Sequence, residues 1–193
     1  EFYDNFTYVK EYFQLADEIL KKNFKKIALE GPKDLLDQTE NTQPAIFIAS
    51  YSIFKVIENE TDFKIKNAKY FAGHSLGEYS ALCCANSINF EQTIRLLKDR
   101  GIAMQNAVPN NQGGMIAVLG VDIDVIDEIL KKNNNISCYI ANDNSNGQIV
   151  VSGMMQALEN FEKELKKNKI KSIKLQVSAP FHSPLMSKAT EEM

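Results

Sequence analysis

Between residues 8 and 20, Val9, Phe13, Ala16 and Leu20 recur every three or four positions among polar residues, the spacing of one buried stripe on an amphipathic helix. Gly31-Pro32 closes the segment that follows. Thr42 reads as an N-cap with Pro44 in the first turn, opening a helix through "AIFIASYSIFKVIEN" that is apolar on most faces and therefore expected in the core. Residues 68–73 are short and apolar enough for a strand, and "LGEYSALCCA" restores helical character directly after them. In "FEQTIRLLKDRGIAMQN", residues 90–106, a further helix is predicted on which Ile94, Leu97 and Met104 share an inward side.

After Pro109 the segments become short and regular: strand "GMIAVLG", helix "DIDVIDEILKKN", strand "ISCYIAN", strand "GQIVVSG", helix "MQALENFEKELKKN", strand "KSIKLQV". With "NDNSNG" as a hairpin between the two middle strands, the order β-α-β-β-α-β predicts a ferredoxin-like split βαβ unit. The expected fold is thus α/β. A larger α/β-hydrolase-like lobe with a parallel sheet occupies residues 1–112, the small ferredoxin-like subdomain residues 113–176, and residues 177–193 return to the large lobe.

Composition narrows the class. Of 193 residues, 44% are hydrophobic and 24% charged, enough to fill a core, and no run approaches the roughly 18 apolar residues of a membrane span. A net charge of −3 on interspersed Lys and Glu argues against nucleic acid as the main partner. Three cysteines, two of them adjacent at Cys83 and Cys84, imply no disulfide framework and fit a reducing compartment. The first residue is Glu and the opening lacks the pattern of a targeting segment, so the chain is expected to start inside a longer gene product. Lys outnumbers Arg twenty to two, which singles out Arg95 and Arg100.

The centre of "YFAGHSLGEYSAL" is Gly73-His74-Ser75-Leu76-Gly77, a serine between two glycines where a strand is expected to pass into a helix. Such a nucleophile elbow turns so sharply that the hydroxyl projects from it, and the unpaired Leu76 amide in the first helical turn points where a tetrahedral oxyanion would form. The bland alternative is a glycine-rich turn with an incidental serine. A serine nucleophile needs a base, and the chain has two histidines. His74 adjoins Ser75 and its side chain should diverge from the hydroxyl. His182, in the Pro-bracketed loop "SAPFHSPL", is the remaining candidate, against the ordinary reading of a surface-loop histidine. Arg100 lies near the end of its helix, and its planar fork suits a substrate carboxylate; a helix-end cation is the plainer reading.

Taken together, "TQPAIF", "GHSLGEYSAL", the "RG" and "MQ" after it, "GGMIAVLG", "GQIVVSG" and "VSAPFHSPLM" resemble, in order, the malonyl-CoA:acyl-carrier-protein transacylases and the related acyltransferase domains of fatty acid and polyketide synthases. The resemblance implies that Ser75 is acylated, His182 is its base in a Ser-His dyad without a carboxylate, Arg100 clamps the malonyl carboxylate and Leu76 supplies half of the oxyanion hole. It implies that Phe181, immediately before the base, disfavours a substrate's α-methyl group, unless that ring merely packs its loop. It implies transfer of malonyl from malonyl-CoA to the phosphopantetheine thiol of acyl carrier protein in type II fatty acid synthesis, with no metal or cofactor, by a monomer in a bacterial-type cytoplasm or an organelle. Two family elements have no counterpart in the sequence: the opening strand with its Gly-Gln-Gly-x-Gln loop, and the closing segment. The rival readings are a serine hydrolase of the α/β-hydrolase or patatin-like type, in which Asp143 would complete a triad, and a non-catalytic carrier-protein binding module.

Overall fold

A computed structural model describes residues 1–109, 111–132, 137–177 and 179–193, and the chain divides into two units, Glu1–Ile102 and Ala103–Met193. Ile136, with which the second expected strand opens, and Ser178 of the "VSAPFHSPLM" motif lie outside the described residues.

The first unit is helical: α1 (Phe2–Asn5), α2 (Thr7–Leu20), α3 (Phe24–Glu30), α4 (Lys33–Leu36), α5 (Thr39–Glu60), α6 (Gly77–Cys84) and most of α7 (Phe90–Asn106). The stripe on α2 is buried as its spacing predicts, and it packs into one cluster with Phe24, Phe47, Ile48, Tyr51, Phe90, Ile94 and Leu97. Phe47, Tyr51 and Phe90 form its aromatic centre, with ring centroids 5.2 to 5.7 Å apart.

Four details differ from the sequence reading. Helix α5 opens at Thr39, so Thr42 is inside it; its Oγ1 donates back to the carbonyls of Leu36 at 2.6 Å and Gln38 at 3.1 Å, which competes with capping an N–H. The same helix is not buried all round: Phe47, Ile48, Tyr51 and Val56 face the core, whereas Ile46, Ile53 and Ile57 are more than 40% exposed. Residues 68–73 pair with no strand, and none is found among the described residues of this unit. A strand exists by hydrogen bonding to a neighbour, and apolar content alone does not supply one. Finally, Ile94 and Leu97 join the first cluster, but Met104 packs with Ala103, Ala107, Val108, Ala179, Met186 and Ala189.

The second unit runs β1 (Gly113–Leu119), α8 (Ile123–Lys132), β2 (Cys138–Ser145), β3 (Gln148–Met154), α9 (Met155–Lys167), β4 (Lys171–Lys174) and α10 (Ser187–Glu192). Its four strands lie in the order β2-β3-β1-β4 with every neighbouring pair antiparallel. Asn146-Gly147 makes the β2–β3 turn, with Gly147 at φ 77°, a backbone setting for which glycine carries no steric cost. Side chains alternate by strand period: Ile116, Val118, Ile149 and Val151 face Ile126, Leu158, Phe161 and Leu165 of the helices. On the opposite face Met115, Ala117 and Val150 are covered by Leu175, Val177 and Phe181.

Candidate active site

The turn from Gly73 into α6 has the tightness that a nucleophile elbow needs. A Cβ on Gly73 would collide with the carbonyl of Gly77 and the amide of Glu78, so that position excludes any side chain. At Gly77 a Cβ would meet nothing within 4 Å, and this unit therefore requires only the first of the two glycines. Ser75 has φ 55°, left-handed backbone that a serine adopts at a cost of about 1–2 kcal/mol. The amides of Gly77, Glu78 and Tyr79 donate to the carbonyls of His74, Ser75 and Leu76 at 2.9, 3.1 and 3.1 Å. The Leu76 amide makes no main-chain hydrogen bond among the described residues.

The two arginines separate cleanly. Arg95 is an exposed residue paired with Glu91 one helical turn away, at 2.8 Å, a surface pair of little energetic consequence. Arg100 is half-buried and donates through Nη2 to Ser75 Oγ at 3.3 Å and through Nη1 to Gln43 Oε1 at 2.6 Å. Its guanidinium lies 5.8 Å from the centroid of the Tyr79 ring. Burial pulls the Arg100 pKa below the usual arginine value, and the neighbouring Tyr79 and Glu78 oppose that shift. The cation remains charged at any working pH. It reaches this place because Gly101 has no side chain: a Cβ there would stand 2.6 Å from Glu40 Cα and 2.7 Å from the Thr39 carbonyl.

Ser75, Leu76 and Arg100 are thus assembled within the first unit, together with Gln43 and Tyr79, two residues to which the sequence reading gave no role. Gln43 carried no signal of its own in the sequence, being one of four polar residues, with Thr39, Asn41 and Ser52, on the buried side of α5.

His182 and Phe181 belong to the second unit, in a loop that is pinned at several points. The Pro180 ring occupies the place a side chain on Gly113 would take, fastening the loop to the start of β1. Phe181 donates its amide to the Ala179 carbonyl at 3.0 Å, and Ser183 Oγ donates to the Pro180 carbonyl at 2.7 Å. Between those bonds His182 is held exposed, with φ 56°. The Phe181 ring is half-buried against two apolar clusters of its own unit.

A serine with left-handed backbone thus stands in a turn that admits no side chain at Gly73, with a guanidinium at hydrogen-bond distance from its hydroxyl. The sequence profile of the acyl transferase domain matches residues 9–193. The chain belongs to the acyl transferase domain family. Among relatives of that family it is 36% identical, over 99% of its own length, to a malonyl CoA-acyl carrier protein transacylase from Bacillus subtilis. It superimposes on the crystal structure of an acyl-carrier-protein-S-malonyltransferase from Bartonella henselae with a TM-score of 0.92 at 39% identity, over 99% of the chain. A malonyl-transacylase solved in complex with its type II PKS acyl-carrier protein is 36% identical over 98% of the chain, with a TM-score of 0.91. The chain spans 48% of the first of these proteins, 62% of the second and 61% of the third.

Proposed function

We propose that the protein transfers a malonyl group from malonyl-CoA to the phosphopantetheine thiol of acyl carrier protein through a malonyl ester on Ser75. The observation that carries this reading is the Arg100 guanidinium at 3.3 Å from Ser75 Oγ. A cation beside the nucleophile has no use for a neutral ester, and it suits an acyl group that ends in a carboxylate. This weighs against a general esterase.

In the proposed reaction Ser75 Oγ attacks the thioester carbonyl while His182 takes its proton, the Leu76 amide holds the developing oxyanion, and coenzyme A leaves as the thiol after receiving that proton. The carrier thiol then attacks the serine ester, gives its proton to His182, and Ser75 recovers a proton as the malonyl thioester departs. The exchange is redox-neutral and balances without metal or cofactor. Phe181 is proposed to disfavour an α-methyl group, beside its packing role. The strand order and helix placement of the second unit support a ferredoxin-like subdomain at 113–176. An α/β-hydrolase-like architecture with a parallel sheet is proposed for the larger lobe, on the support of the tight elbow at Ser75. The boundaries 1–112 and 177–193 for the larger lobe, a monomeric state, and residence in a cytoplasm or organelle with type II synthesis belong to the same reading.

The deciding experiment is intact-mass measurement of the full-length protein after incubation with malonyl-CoA. A malonyl adduct that Ser75→Ala abolishes is the expected result; an undiminished adduct in the variant places the nucleophile elsewhere.

A further inference from the structure

We infer that Gln43 is the positioning residue of the carboxylate clamp, and that its neutral side chain is what leaves Arg100 available to an anionic acyl group. The inference rests on the malonyl-transfer reading above. Gln43 is 4% exposed, on the inward face of α5. Its Oε1 accepts from Arg100 Nη1 at 2.6 Å, which fixes the rotation of a planar guanidinium whose other terminal nitrogen, Nη2, is directed at Ser75 Oγ. Tyr79 lies against the same group and resists tilting it away. The contact is built into the backbone, because Gly101 lets α7 close onto Thr39 and Glu40 at the start of the helix that carries Gln43.

Charge decides why an amide suits this place. A carboxylate at position 43 would orient Arg100 equally well, yet it would neutralise the cation with a bidentate pair and repel the incoming malonate. An apolar side chain would leave both the guanidinium unpartnered on that edge and its direction unset. A side-chain amide gives direction without net charge. Selection between malonyl and acetyl groups therefore depends on two residues, one that binds the acid and one that holds the binder without competing for it.

The test compares acylation by malonyl-CoA and acetyl-CoA in full-length Gln43→Glu and Gln43→Met, with thermal unfolding of each. A charge-assisted hydrogen bond is worth enough that Gln43→Glu should lower malonyl kcat/KM by about 10- to 100-fold. The malonyl-to-acetyl ratio should fall with it. Gln43→Met, of similar volume and without an acceptor, should lower the same ratio by about tenfold at the low end of that range, chiefly through a higher KM for malonyl-CoA. If Gln43→Glu does not fold, Gln43→Met decides through the same ratio. Equal losses for both thioesters, or an unchanged ratio, make Gln43 a packing residue and overturn the inference alone. Absence of any Ser75 adduct in the unsubstituted protein overturns the transfer reading and this inference together.

Discussion

The two units solve the burial problem in opposite ways. In the second, four antiparallel strands and two helices cover each other within about sixty residues, and Phe161, Leu165, Val118 and Val151 are wholly enclosed. In the first, a cluster equally well packed around Phe24 and Phe47 coexists with twelve of the sixteen large apolar side chains that the described residues expose. Ile46, Ile53 and Ile57 line one exposed side of α5, and Phe71 and Leu82 flank the elbow in sequence. A βαββαβ unit pairs its own strands, so its hydrophobic positions are accounted for locally. Residues 68–73, which lead into the elbow, pair with no strand among the described residues, and Tyr70 and Phe71 are exposed there.

The largest effect that would break this contrast is expected at the elbow. Gly73→Ala drives a methyl group into the Gly77 carbonyl and should remove acyl-enzyme formation from intact-mass spectra, whereas Gly77→Ala meets open space and should retain it. Equal losses would mean that the turn's tightness does not come from Gly73. His182→Ala is expected to slow acylation by about 10²- to 10⁴-fold in rapid-quench measurements, the usual consequence of losing a positioned base. A near-normal rate at neutral pH would take His182 out of the chemistry.

Stability tests sharpen the comparison at smaller amplitude. Phe161→Ala, inside the second unit, should cost about 3–5 kcal/mol in urea unfolding. Ile53→Ser, on the exposed side of α5, should change stability by no more than about 0.5 kcal/mol in this 193-residue chain. A larger cost would show that the α5 face is covered in solution. The smallest effect concerns the thiols. Burial pushes Cys84 and Cys138 up to about 11, so at pH 8 only about one thiol in a thousand is ionised. Alkylation should therefore be slow, rising about tenfold for each pH unit until the thiols titrate; fast labelling at pH 8 would show that one unit opens locally.

Most of the helices and all four strands of the second unit were legible in the sequence, because periodicity reports burial and both helix stripes and strand alternation are filled locally. The α2 stripe and the alternation in β1 are the clearest instances. What misled was context of another kind. Thr42 has the chemistry of a cap, but three earlier residues were free to continue the helix, and its hydroxyl turned back to a carbonyl instead. Residues 68–73 carry strand composition, which says nothing about whether a partner is at hand. At the candidate site the serine and the arginine stood out by motif and by rarity. Gln43 and Tyr79 did not, since contacts across helices that lie far apart in the chain leave no periodic trace.

The left-handed backbone at Ser75 also bears on how the protein can be improved as a material. Of the other non-glycine residues with positive φ, Lys21, Asn86 and Lys169 terminate helices, a place where such a conformation is routine, and Asn111 is of a type that tolerates it. His182 is likewise of a type enriched there, whereas Ser75 has neither excuse. Ser75 holds about 1–2 kcal/mol against folding that a glycine or asparagine would release in part. A search for thermostable variants that is blind to turnover should therefore accumulate replacements at this position early. Heat tolerance gained that way would come at the expense of the proposed acyl-enzyme, and only a screen that scores both would keep the serine.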